Sequence, residues 1–167
     1  ITLFYTLSLM RDKALKNYFA SLKLAEEIDN KGLISSLYSN IAGIYNSQKK
    51  ENKALEYYLL ALKMQEANED IEETGRTYNL IGNLYLQQGK SGEAKKYLLK
   101  SLSALQETGA KNLIKSAYEN LALCDSALGD YKGAFEYYKL FKALNDSVFN
   151  AESSGKMDEL VGKFETE

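Results

Sequence analysis

The chain has no histidine, no proline and no tryptophan, and one cysteine in 167 residues. Without histidine it lacks the usual general base and the commonest metal ligand. No Gly-rich phosphate loop, G-x-S-x-G or H-E-x-x-H motif takes their place. No catalytic residue, no cofactor and no metal site are therefore expected. Cys124 has no partner for an intramolecular disulfide, so the redox compartment stays open. Set between Leu123 and Asp125 in an expected helix, it reads as a small buried hydrophobe. The net charge is only −2, which offers no concentrated basic surface for nucleic acid. No window approaches the roughly eighteen apolar residues of a membrane span, so no membrane contact is expected of these residues. The apolar opening "ITLFYTLSLM" has neither the basic region nor the cleavage site of a signal peptide.

What the sequence does have is a period. Moving back by forty residues takes Tyr118 to Tyr78 and Tyr38, and Leu121 to Ile81 and Ile41. Ala122 lands on Gly82 and Ala42, Ala134 on Ala94, Ala54 and Ala14, and Tyr137 on Tyr97 and Tyr57. A constant period of this size marks an array of stacked units, none of which buries its apolar face alone. Within a unit the spacing is helical: Tyr78, Ile81, Gly82 and Tyr85 share one face, as do Ala54, Tyr57, Tyr58, Ala61 and Leu62. Turn-prone stretches with Gly89 and Gly92, and with Gly129 and Gly133, separate the two helices. The expected pairs are 36–48 with 53–68, 72–88 with 93–108, and 112–128 with 133–148. Ile1 and Tyr5 align with Ile41 and Tyr45, so the opening segment reads as the remnant of a first helix A. The small residues 42, 82 and 122 on helix A, and 54, 94 and 134 on helix B, mark close approach of the two helices. Lys95, beside Ala94, is expected to face solvent.

These residues carry a resemblance. The order aromatic-x-x-[ILV]-[AG] in helix A, then Ala twelve residues after the small residue, resembles the tetratricopeptide repeat. That family's unit has about 34 residues, so the forty here imply lengthened helices around the B-to-A connection. The family's proline is missing and its Trp is replaced by Tyr. The resemblance implies an all-α, right-handed superhelix of antiparallel helix pairs over residues 1–150, binding a protein or peptide in a concave groove lined by helix A. Residues 151–167 are expected to form a capping or linker helix.

The tail "LNDSVFNAESSGKMDELVGKFETE" resembles a second pattern. It is similar to the junction that closes the repeats of Bacteroidetes-type sensor histidine kinases and helix-turn-helix regulators. Leu144, Asp146, Ser147, Val148, Phe149, Asn150, Glu152, Lys156, Glu159 and Leu160 carry it. It implies a piece of a longer signalling protein, periplasmic if the sensor reading holds and cytoplasmic otherwise. A soluble adaptor that assembles protein partners is the alternative. Met157, Leu160, Val161 and Phe164 follow helical spacing, either as a cap on the array or as the start of a homodimeric linker.

The groove candidates come from the helical wheel. Arg76, Asn79, Asn83 and Gln87 are spaced three, four and four apart and share one face of helix A, opposite Tyr78, Gly82 and Tyr85. Amides pair with the donors and acceptors of an extended peptide, and Arg takes a carboxylate. Asn40 and Asn120 flank this stripe. The equivalent positions are Ser36, Ser39, Gly43 and Ser47 in the preceding unit, and Ser116, Glu119, Leu123 and Ala127 in the following one. With only Arg76 cationic, a clamp for a terminal carboxylate is not expected.

Overall fold

The computed structural model describes residues 2–165, with side chains from Leu9 to Phe149. Among these residues there are seven helices and no strand. They are α1 (Thr2–Glu27), α2 (Lys31–Ser47), α3 (Glu51–Ala67), α4 (Ile71–Gln87), α5 (Ser91–Leu105), α6 (Lys111–Ala127) and α7 (Tyr131–Glu165). Each helix packs on the next in the chain, and α4 also meets α6. The molecule is an all-α solenoid of stacked helix pairs.

Its punctuation has half the period of the sequence. Residues with positive φ fall every twenty positions, at Asp29, Lys49, Glu69, Gly89, Gly109 and Gly129. At five of these junctions the amide three residues past the helix end bonds back five residues: Asn30 to Ala25, Lys50 to Tyr45, Asp70 to Gln65, Lys90 to Tyr85 and Asp130 to Asp125. This pairing closes the orphan carbonyls of a helix C-terminus and turns the chain with a single left-handed residue. Asn30, Asp70 and Asp130 then cap the next helix through their side chains.

Helix α2 begins at Lys31, five residues before the expected 36, and two expected breaks between helices are absent. The opening segment is not a separate helix A: α1 runs unbroken through Leu9, the next position back in the twenty-residue series. A Leu there carries the cost of a left-handed conformation with no compensating glycine, so the helix continues. Phe149 stands at the other end of the series, and α7 likewise runs through it, so no turn separates residues 150 and 151. Met157, Leu160, Val161 and Phe164 lie outside the described side chains.

The core follows the small-residue logic. Ala42, Ala54 and Ala94 are fully buried. A Cβ on Gly82 would come within 2.6 Å of Leu98 Cγ, which explains the lack of a side chain there. Ala122 and Ala134, in the last pair, are only half-buried. Tyrosines bridge the two helices of each pair: Tyr45 stacks on Tyr57 and Tyr85 on Tyr97, each with centroids 5.5 Å apart, and Tyr118 stacks on Tyr137. Position 125 breaks the series, with Asp where Tyr45 and Tyr85 stand. Asp125 is buried and ion-paired with Lys95, so Lys95 does not simply face solvent. A Cβ on Gly133 would fall 2.5 Å from Asp125 Oδ2. The carboxylate thus occupies the space beside the N-terminus of α7, where the helix dipole favours negative charge.

Candidate partner-binding groove

Helices α2, α4 and α6 lie side by side, and the structure separates the predicted stripe into two groups. Arg76, Asn83 and Gln87 lie on the open side of α4. Arg76 is exposed but held by two glutamates of its own helix, Glu73 at 3.0 Å and Glu72 at 3.8 Å. Gln87 Nε2 donates to Asn83 Oδ1 at 2.7 Å, a pair one turn apart on the helix surface. Asn40 is exposed on α2.

Asn79 and Asn120 belong elsewhere. Both are buried, and Asn120 Nδ2 donates to Asn79 Oδ1 at 3.0 Å. Asn79 Nδ2 in turn donates to the Leu113 carbonyl at 3.3 Å. The expectation that Asn79 projects away from the packing surfaces is therefore corrected. A wheel divided into two faces has no place for a flank, yet α4 touches α3, α5 and α6. Asn79 sits on the flank that meets α6, where a buried amide is satisfied only by a partner. These two asparagines tie neighbouring units together.

Two clefts flank the length of α4, beyond a third at its N-terminal end that includes Glu72 and Arg76. One, of about 560 Å³, lies between α2 and α4 and includes Ser36, Ser39, Asn40, Gly43, Arg76 and Leu80. The other, of about 570 Å³, lies between α4 and α6 and includes Asn83, Leu86, Gln87, Asn120, Leu123 and Ala127. The first also reaches Tyr58 of α3, whose body is buried. An added methyl on Gly43 would stand 4.0 Å from the Tyr58 hydroxyl. Burial pushes the Tyr58 pKa up from its usual value, so the group stays a hydroxyl donor. The sequence signal for this pair was available: of positions 43, 83 and 123, only the first is glycine.

Tetratricopeptide-repeat models match residues 35–68 and 73–140. The chain belongs to the tetratricopeptide repeat family. Among solved structures it is similar to BtubC (BKLC) from P. vanneervenii, with a TM-score of 0.76 and 21% identity over 83% of this chain. It spans 58% of that protein's chain. It is also similar to the TPR domain of Arabidopsis FLU, with a TM-score of 0.66 and 22% identity. That match covers 70% of this chain and 98% of the FLU domain. At such identities the likeness concerns the fold. No curated protein matches the sequence. Tetratricopeptide repeats suggest protein–protein interaction, and proteins built from them are generally non-enzymatic scaffolds. No helix among the described residues is long and apolar enough to cross a membrane.

Proposed function

We propose that this tetratricopeptide array is the protein- or peptide-recognition region of a bacterial signalling or regulatory protein, acting by binding and without catalysis. The partner lies along the face formed by α2, α4 and α6. The observation that carries this reading is the pair of clefts on either side of α4, lined by polar groups whose two charges, Arg76 and Glu73, pair with each other, and by Leu80 and Leu123. Such a surface offers hydrogen bonds to an extended backbone and apolar contact to its side chains. The signalling context rests on the tail pattern from Leu144 to Leu160 and on the long α7 that carries it, a geometry suited to a homodimeric linker.

The test has two parts. Sequencing the gene past residue 167 is expected to reveal a membrane span with a kinase or DNA-binding domain; a gene ending without an output domain makes the protein an adaptor. Affinity capture with the chain as bait is expected to retain a protein that Asn83→Ala/Gln87→Ala releases. Equal capture by the two forms removes the groove from the account.

A further inference from the structure

One residue of the groove is almost wholly buried yet turns its polar end to a cleft. Tyr58 is 2% exposed, its ring packed in the core formed by α1, α2, α3 and α4. Its hydroxyl makes no hydrogen bond to any described residue but lines the cleft between α2 and α4. The ring is fixed by the core while the hydroxyl faces the cleft, so a ligand seated there meets a donor that is already held in place. Its access depends on Gly43. At the same register the following units carry Asn83 and Leu123, and the residues corresponding to Tyr58 are Leu98 and Tyr138. Glycine on helix A and tyrosine on helix B therefore coincide in this unit alone.

The walls define the chemistry admitted. Ser39 accepts a hydrogen bond from the buried Gln65 of α3 at 3.5 Å, which orients it at the cleft edge. The Ser36 hydroxyl is already given to the Gly32 carbonyl. Arg76 is paired with Glu73, the other charged residue lining this cleft, so the rim presents no net charge to attract a carboxylate or an ammonium group. What is left is a phenolic donor beneath a neutral, partly apolar opening.

We propose that this cleft is a pocket for an amide group of the bound peptide, whose carbonyl oxygen accepts the Tyr58 hydroxyl through the opening at Gly43. The amide comes from the main chain or from an Asn or Gln side chain. This inference rests on the groove reading above and names what one part of that groove recognises.

The test is selection of a random twelve-residue peptide display library on the whole 167-residue chain, followed by titration of the enriched peptides against variants. Tyr58→Phe removes only the hydroxyl. Gly43→Leu closes the opening with a residue that the same register already holds at Leu123, and circular-dichroism melts verify that each variant folds. Enriched peptides are expected to be poor in charged residues and to lose about tenfold in affinity on Tyr58→Phe, equivalent to one hydrogen bond. They are expected to be lost on Gly43→Leu and unaffected by Tyr57→Phe. Enrichment of Asn or Gln at one position assigns the amide to a side chain, and its absence assigns it to the main chain. Peptides that bind the wild type and Tyr58→Phe equally overturn this pocket but leave the groove standing. Failure to enrich any peptide overturns both.

Discussion

A single amide separates the two uses of helix α4. Asn79 and Asn83 are one turn apart, yet the first is locked between Asn120 and Leu113 while the second bonds Gln87 on the open surface. Asn79→Ala is therefore expected to destabilise the fold by about 1–3 kcal/mol, because it leaves the buried Asn120 amide without its acceptor. Urea unfolding checks this; an unchanged midpoint means that the buried pair contributes nothing. Lys95 makes a similar point. Lys95→Leu strands the buried Asp125 carboxylate and is expected to cost on the order of 3 kcal/mol, whereas the neighbouring exposed Lys96→Leu is expected to leave the melt nearly unchanged. Equal melts for the two would remove the ion pair from the energetics. Alkaline pH acts through two further residues. Burial and then a hydrogen bond to Glu66 raise the Tyr78 pKa to about 12, and burial raises the Cys124 thiol to about 11. In both cases the folded chain holds the proton more tightly than the unfolded chain does. Their contribution is complete below the unfolded values, near 9.0 and 10.0, and is lost as pH rises through about 11 and 12. Melting temperature is expected to fall across that window, and the fall should be smaller in Tyr78→Phe.

At the scale of elements, the array was legible because helix packing constrains side-chain size. Ala54, Ala94 and Gly82 sit where a larger residue clashes, and their forty-residue spacing survives in the sequence. The twenty-residue period of the turns was not legible. Gly89, Gly109 and Gly129 announce three of them, but Asp29, Lys49 and Glu69 adopt the same left-handed backbone without glycine. Such residues fit because the five-residue back-bond and the following helix over-determine the turn, at a cost of about 1 kcal/mol each. Nor does composition reveal that Leu9 and Phe149 continue their helices, since a missing turn leaves no residue signature. The turn argument leads to a measurable outcome. Lys49→Gly relieves the strained backbone and is expected to stabilise the protein by up to about 0.5 kcal/mol net of the added freedom of the unfolded chain. Gly89→Ala is expected to shift stability by a similar amount in the opposite direction. Thermal melts that move the same way for both would contradict the shared turn geometry.

For the whole molecule, stacking creates the groove, and stacking also determines which residues of it could be read in advance. Arg76, Asn83, Gln87 and Asn40 lie on the open side, while Asn79 and Asn120 are consumed by contact between units, a distinction that exists only once three helices surround α4. Tyr58 left only the glycine at position 43 as a sequence signal, since it belongs to the core of one unit and reaches the cleft through the gap at Gly43. The resulting surface has its one arginine balanced by two glutamates. Binding there depends on hydrogen bonds and apolar contact, both largely indifferent to ionic strength. Raising salt from about 0.05 to 0.5 M, which shortens the screening length severalfold, is expected to change the affinity of a groove-bound peptide by less than about twofold. Asn83→Ala with Gln87→Ala, by contrast, removes one half-buried and one exposed amide without touching the core. At about 0.5–1.5 kcal/mol per hydrogen bond, the pair is expected to cost roughly five- to a hundredfold in affinity while the melting temperature barely moves. Isothermal titration at the two salt concentrations, with wild type and double variant side by side, separates these terms. A steep salt dependence would mean that Arg76 leaves Glu72 and Glu73 to meet a carboxylate, and the groove would then be selecting charge.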